Sequence, residues 1–247
     1  DRENAHFDQV LEQIKTELSP QAVPMQVPIG SEDDFRGIVD LLTMKAYFFD
    51  NGETKEGPIP EELQELADNY HEQLVEAAAE TDDDLTMKYL EGEELSQDEI
   101  VQGLRQGTLN GTIFPVLCGS AYLNKGSNLL LDALVDYLPS PLDRPAKKAT
   151  DISTDEDVLL ECHKDEPLVA QAFKTLADPF VGKLTYFRVY RGQLVSDSSV
   201  YNSSQNKTER VGQVFIPRGK NQIPTDLVIA GDIGAVAKLQ DTSTGDT

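Results

Sequence analysis

Thr112-Ile113-Phe114-Pro115-Val116-Leu117-Cys118-Gly119-Ser120-Ala121 is the stretch on which the reading of the fold turns. An apolar run breaks at three small residues and leads, through Asn124-Lys125-Gly126, into a helical pattern from Ser127 to Leu138. A continuous apolar run, a small-residue turn and an amphipathic helix are how a buried strand of an α/β sheet passes into its helix. The turn then lies at the carboxyl end of the strand, where open α/β sheets hold their ligands. This unit is too small to be a domain, so the rest of its sheet must come from elsewhere.

Upstream, Phe7, Val10, Leu11, Ile14 and Leu18 recur at helical spacing until Ser19-Pro20. Val23, Met25, Val27 and Ile29 alternate as in a strand, but Pro24 and Pro28 remove two backbone donors, which favours an edge or an irregular strand. Residues 31–57 read as short strands, with Asp50-Asn51-Gly52 as a hairpin turn. A single helix is predicted from Glu61 through Leu85, with Leu63, Leu66, Ala67, Tyr70, Leu74, Ala77, Ala78 and Leu85 on its inner side. Glu62, Glu65, Asn69, Glu72, Glu76, Glu80 and Asp83 form a stripe on the other side, and Asp82-Asp83-Asp84 loosens the helix near its end. Ser96 followed by Glu99 is a capping-box signature opening a second helix, with Ile100, Val101 and Leu104 inward. Pro139-Ser140-Pro141 closes the helix that follows the opening stretch.

Downstream, residues 142–165 read as a linker: polar, acidic and without clear periodicity. After Pro167 the texture changes. Leu168 to Phe173, Leu184 to Tyr190, Val200-Tyr201, Val211 to Ile216 and Ile233 to Leu239 are β-prone, separated by turn signals and no helices. That spacing predicts a small antiparallel barrel.

The chain has 247 residues and a net charge of −23, unevenly placed. Residues 166–247 hold eight acids and nine bases, so residues 1–165 carry the remaining −24. Such an acidic segment repels duplex phosphate, which argues against DNA as a partner, whereas the near-neutral C-terminal part is able to approach RNA. No run approaches a membrane span. Cys118 and Cys162 fit neither a metal spacing nor a disulfide framework, and nothing points to export, so a reduced cytoplasmic setting is expected.

No catalytic apparatus is visible. Nothing matches the G-x-x-x-x-G-K-[ST] phosphate loop that a nucleotide triphosphatase needs. Asp34-Phe35-Arg36-Gly37 imitates a D-x-x-G element with no phosphate loop upstream, and Asn206-Lys207-Thr208-Glu209 is a near miss to N-K-x-D inside the strand region. Ser120 lacks the flanking glycine pair of a nucleophile elbow, and His6, His71 and His163 have no ligand spacing. The acidic stripe reads either as a solvated face or as a docking strip for a basic helix, with fast, salt-sensitive association in the second case.

Longer words are more specific. Val23-Pro24-Met25-Gln26-Val27-Pro28-Ile29-Gly30 and Phe35-Arg36-Gly37-Ile38-Val39-Asp40-Leu41 closely resemble bacterial elongation factor G. So do Cys118-Gly119-Ser120-Ala121, Asp136-Tyr137-Leu138-Pro139-Ser140-Pro141 and Asp178-Pro179-Phe180-Val181-Gly182-Lys183-Leu184-Thr185. Phe187-Arg188-Val189-Tyr190-Arg191-Gly192 and Ala230-Gly231-Asp232-Ile233 complete the match, which runs along essentially the whole chain.

The resemblance implies a multidomain α+β chain. Residues 1–30 and 106–141 would be the C-terminal part of an incomplete α/β GTPase domain, and 31–105 an acidic subdomain inserted into it. Residues 142–165 would be the linker, and 166–247 an antiparallel β-barrel that rests on small-subunit ribosomal RNA. Asp1 resembles the carboxylate of the guanine-recognition element. Gly119, Ser120 and Ala121 resemble the turn whose backbone amides face guanine O6.

Glu72, Glu76, Glu80 and Asp83 would meet the lysine-bearing C-terminal domain of the ribosomal stalk protein, and Arg188, Arg210, Arg218 and Lys220 are candidate RNA contacts. In the family the phosphate loop and switch segments precede the position of Asp1. The resemblance therefore implies no GTPase activity, cofactor or metal for this chain, with GTP and Mg belonging to the full-length parent, a ribosomal translocation factor. Two alternatives stay open: another translational GTPase, such as a release-factor recycler or ribosomal protection protein, and a standalone acidic adaptor for a basic protein.

Overall fold

The structure is a computed structural model, and it describes residues 1–50, 52–178, 182–219 and 221–247. Two compact units make up the chain, Asp1–Leu138 and Pro139–Thr247. Among the described residues, no helix is long and apolar enough to cross a membrane.

In the first unit, helix α1 (Phe7–Gln13) runs into a π-helical turn at Ile14–Leu18, and strand β1 (Ala22–Pro24) follows. Strands β2 (Gln26–Ile29), β3 (Gly37–Asp40), β4 (Lys45–Asp50) and β5 (Glu53–Gly57) form an antiparallel sheet in chain order. Next come α2 (Glu61–Ala79), α3 (Asp83–Leu90), α4 (Gln97–Asn110), β6 (Phe114–Val116) and α5 (Ser127–Tyr137). Strand β6 pairs in parallel with β1, Val23 opposite Pro115. The stretch at 112–138 is therefore the expected strand, turn and helix, except that the strand expected to be buried is not: Phe114 is 46% exposed and, among the described residues, β6 has β1 as its one partner.

One core joins these elements. Val27, Ile29, Val39 and Leu41 from the sheet meet Ala67, Leu74 and Ala78 of α2 and Ile100 and Leu104 of α4. Helices α2 and α4 cross closely because Gly103 has no side chain: a Cβ there would lie 2.5 Å from the Ala78 carbonyl oxygen. Helix α5 differs. Leu131 and Val135 are 59% and 78% exposed, so its apolar side faces solvent.

Two expectations need correction. The helix predicted to run through Leu85 stops at Ala79. The Asp82 carboxylate accepts hydrogen bonds from the backbone N–H groups of Asp84 and Leu85 at 3.0 and 3.2 Å, and so caps a new helix, α3. Side-chain capping of orphan N–H groups favours a restart over continuation. The stretch 142–165, read as a linker, contains an antiparallel hairpin, β7 (Lys147–Thr150) with β8 (Asp157–Leu160). Leu160 is buried, and that burial secures a hairpin whose polar composition hid it.

The rest of the second unit is antiparallel: β9 (Val169–Asp178), β10 (Gly182–Arg191), β11 (Gln193–Val195), β12 (Ser199–Asn202) and β13 (Lys207–Arg210), then β14 (Val214–Arg218), β15 (Asn221–Thr225), β16 (Leu227–Ile229) and β17 (Ile233–Ala237). Five strands form one sheet in the order β15-β14-β17-β10-β9, and β11–β16 and β12–β13 form two-stranded ladders. Phe187, Val189, Leu194, Val214, Val228 and Val236 from several of these strands share one core, as in a barrel.

Candidate functional site

The Gly119-Ser120-Ala121 bend hangs between β6 and α5. Ser120 donates its backbone N–H to the Lys125 carbonyl and accepts from the Lys125 N–H, both at 2.9 Å. The Ser120 hydroxyl oxygen accepts from the Leu123 N–H at 3.1 Å, and the residue is buried. Lys125 reaches back to the Phe35 carbonyl and lies 5.7 Å from the Phe35 ring centre. Gly126 ends the bend at φ +80°, and a Cβ there would lie 2.8 Å from Ile38 Cδ1. The bend is thus fixed from both sides.

Ser120's amide is occupied by Lys125, and among the described residues the exposed Ala121 N–H has no backbone acceptor. No hydrogen bond among the described residues joins Asp1 to this bend. Burial pushes the neighbouring Cys118 thiol up to about 12, which disfavours its thiolate. The Asp34 carboxylate pairs with Arg36, which accounts for it within its own turn.

Glu72 and Glu76 on α2 and Glu80, the residue that caps its C-terminal end, are exposed, with Ala67, Leu74 and Ala78 buried behind them. At 1.5 Å per residue the three carboxylates span about 12 Å of helix. Asp83 is also exposed but belongs to the first turn of α3, so its i+7 relation to Glu76 is not one of a single helix. Among the described residues no ion pair neutralises Glu72, Glu76 or Glu80, whereas Glu62, at the other end of α2, lies 4.0 Å from Arg36. His71 faces away from this row, its Nδ1 2.6 Å from the Leu41 carbonyl.

The described basic candidates of the second unit, Arg188, Arg210 and Arg218, stand on different strands. Arg210 is exposed on β13 opposite Ser199, Arg218 is exposed at the end of β14 opposite Asn221, and Lys220 lies outside the described residues. Arg188 instead lines a groove of about 510 Å³ with Arg144, Lys147, His163 and Tyr190. Lys147 Nζ lies 4.7 Å from the Tyr190 ring centre and 3.4 Å from its hydroxyl, with Arg188 5.7 Å from the same ring. Cations over an aromatic face, beside a groove, are what phosphate and unstacked bases are bound by. Sequence reading missed Arg144 and Lys147 because it placed both in a linker. The signal for the hairpin was the apolar Val158-Leu159-Leu160 run after an acidic turn.

What the fold and its surfaces define is a two-unit α+β protein with an acidic helix face on one unit and a basic groove on the other. Residues 167–247 match the family described as Elongation factor G domain 2. A crystal structure of a protein from Thermus thermophilus superposes with a TM-score of 0.81 at 27% sequence identity. The likeness covers 98% of this chain and 34% of that one, so the chain spans about a third of the relative's length. The family match is confined to the second unit, and the structural likeness extends the shared fold along nearly the whole chain.

Proposed function

We propose that this chain is the ribosome-engaging middle of a translocation factor of the elongation factor G type, active in translation elongation in the cytoplasm and without GTPase activity of its own. The match of residues 167–247 to Elongation factor G domain 2 carries the reading. The open side of α5 is where the rest of a GTPase domain would pack, and the parent would bind GTP beside the Gly119-Ser120-Ala121 bend. The acidic row Glu72, Glu76 and Glu80, with Asp83 beyond it, supports docking of a lysine-bearing partner such as the stalk protein's C-terminal domain. The groove of Arg144, Lys147, Arg188 and Tyr190 supports contact with small-subunit ribosomal RNA.

The test uses the whole chain with purified ribosomes. Glu76→Lys with Glu80→Lys should abolish stalk-domain binding at low salt, because two attractive contacts become repulsive. Arg144→Glu with Arg188→Glu should remove the protection of small-subunit RNA. Calorimetry with millimolar GTP should show no saturable heat, since a turn without a cradle leaves the phosphates unbound. Unchanged ribosome binding in both double variants, or micromolar GTP affinity, refutes the proposal.

A further inference from the structure

A second cavity lies inside the second unit, apart from the basic groove. It measures about 510 Å³, within the size range of small-molecule pockets. Its walls include Ala170, Phe187, Leu194, Val211, Val236 and Leu239, and Thr150, Asp151 and Ile152 of the β7–β8 hairpin stand at its edge. One wall group is out of place. Thr185, 1% exposed on β10, lines the cavity, and its hydroxyl is the buried side-chain polar atom without a hydrogen-bond partner among the described residues. The neighbouring β-strand residues opposite Thr185 are Val236 on β17 and Thr175 on β9, and neither offers it an acceptor.

The most polar groups on the wall already have partners within the unit. Asn202 Nδ2 donates to Thr242 Oγ1 at 3.1 Å and to Asp246 Oδ2 at 3.0 Å, and Asp246 Oδ2 also accepts from the Ser243 N–H at 2.9 Å. Arg191 Nε donates to the Pro167 carbonyl at 3.2 Å. Buried hydroxyls without partners are rare in folded proteins, and this one belongs to a wall residue of a largely apolar cavity, where a small shift of the side chain brings it to a ligand oxygen. Two carboxylates, Asp151 and Asp246, against one guanidinium on the wall disfavour an anionic ligand.

We propose that this cavity is a binding site for an uncharged, largely apolar small molecule carrying one hydrogen-bonding oxygen, which pairs with the Thr185 hydroxyl. The site is independent of the ribosomal reading: it lies within one unit and needs neither nucleotide nor RNA.

The test is NMR titration of the whole methyl-labelled chain with 2-naphthol, naphthalene and 2-naphthoate. The expected result is saturable shifts at Val211, Val236 and Leu239, with 2-naphthol bound several-fold more tightly than naphthalene and 2-naphthoate weakest. Thr185→Val should keep naphthalene binding and erase the advantage of 2-naphthol, and Ala170→Leu, which fills the cavity, should weaken all three. Folding of each variant is checked by its own methyl spectrum. No saturable shift in the wild-type chain, shifts away from these methyls, or an undiminished preference for 2-naphthol in the valine variant each overturns the proposal.

Discussion

Replacing Glu209 by Gln is the most informative perturbation of the second unit. Glu209 is 8% exposed, and its carboxylate holds the loop that follows β17. Oε1 accepts from the N–H groups of Gln240 and Asp241 at 2.8 and 2.7 Å, and Oε2 accepts from the Thr242 N–H at 3.0 Å and from the Thr242 hydroxyl. An amide fits the same space but places an NH₂ group against one of these donor pairs. The Thr242 hydroxyl can accept from it with its second lone pair, Asn202 using the first, but only by giving up its own acceptor, and the Thr242 N–H still faces the NH₂ group. Two hydrogen bonds to a charged acceptor are lost, each worth roughly 1.5–3 kcal/mol, and relief of a buried charge offsets part of this. A net loss of about 2–4 kcal/mol is expected, with a fall in melting temperature of roughly 8–16 °C for a unit of this size.

The pH dependence gives an independent check. Burial pushes the Glu209 carboxyl up, but the hydrogen bonds from Thr242, Asp241 and Gln240 together outweigh it and hold the group below its ordinary 4.5. The folded carboxylate thus binds its proton less readily than the unfolded one. Its stabilisation is complete above the unfolded value and is lost as pH falls through the folded one. Urea unfolding followed at the Val211 and Val228 methyl signals should show the full gap between wild type and Glu209→Gln at pH 7, and a gap that narrows steadily below pH ~4.3. Equal midpoints at pH 7, or a gap that stays constant in acid, would refute the reasoning.

Further outcomes follow from other single groups. Gly126→Ala forces a side chain into a left-handed conformation beside Ile38, and should cost about 1–3 kcal/mol and open the Ser120–Lys125 amides to hydrogen exchange. Ser96→Ala removes a capping box from α4 and should cost about 1 kcal/mol in chemical unfolding. Lys88 first, and then Ser96, hold the Glu99 carboxyl at about 2, so the same variant should raise the Glu99 titration midpoint measured by carbon NMR without returning it fully to normal.

Much of the first unit was legible in the chain. The inner residues of α2 and α4 lie where a 3.6-residue period puts them, because an amphipathic helix has one apolar side to hide wherever it packs. The capping box at Ser96 and Glu99 was equally readable, since both partners are three residues apart and act locally. The break at Asp82 was only half seen: the sequence showed three aspartates, but choosing between a frayed helix and a capped new one depends on what α3 packs against. The hairpin at 147–160 escaped because Leu160 is buried by residues distant in sequence.

The sequence by itself determined the order of elements, the acidic face of α2, and the Gly-Ser-Ala bend with its strand and helix, because these rest on local period, charge and backbone freedom. Tertiary structure decided which bases meet. Arg188 joins Arg144 and Lys147 around Tyr190, while Arg210 and Arg218 stand elsewhere. It also decided that Glu209, a motif near miss in the sequence, anchors a loop about thirty residues away. Neither follows from spacing, because strand pairing brings together side chains whose distance along the chain carries no information about their distance in space.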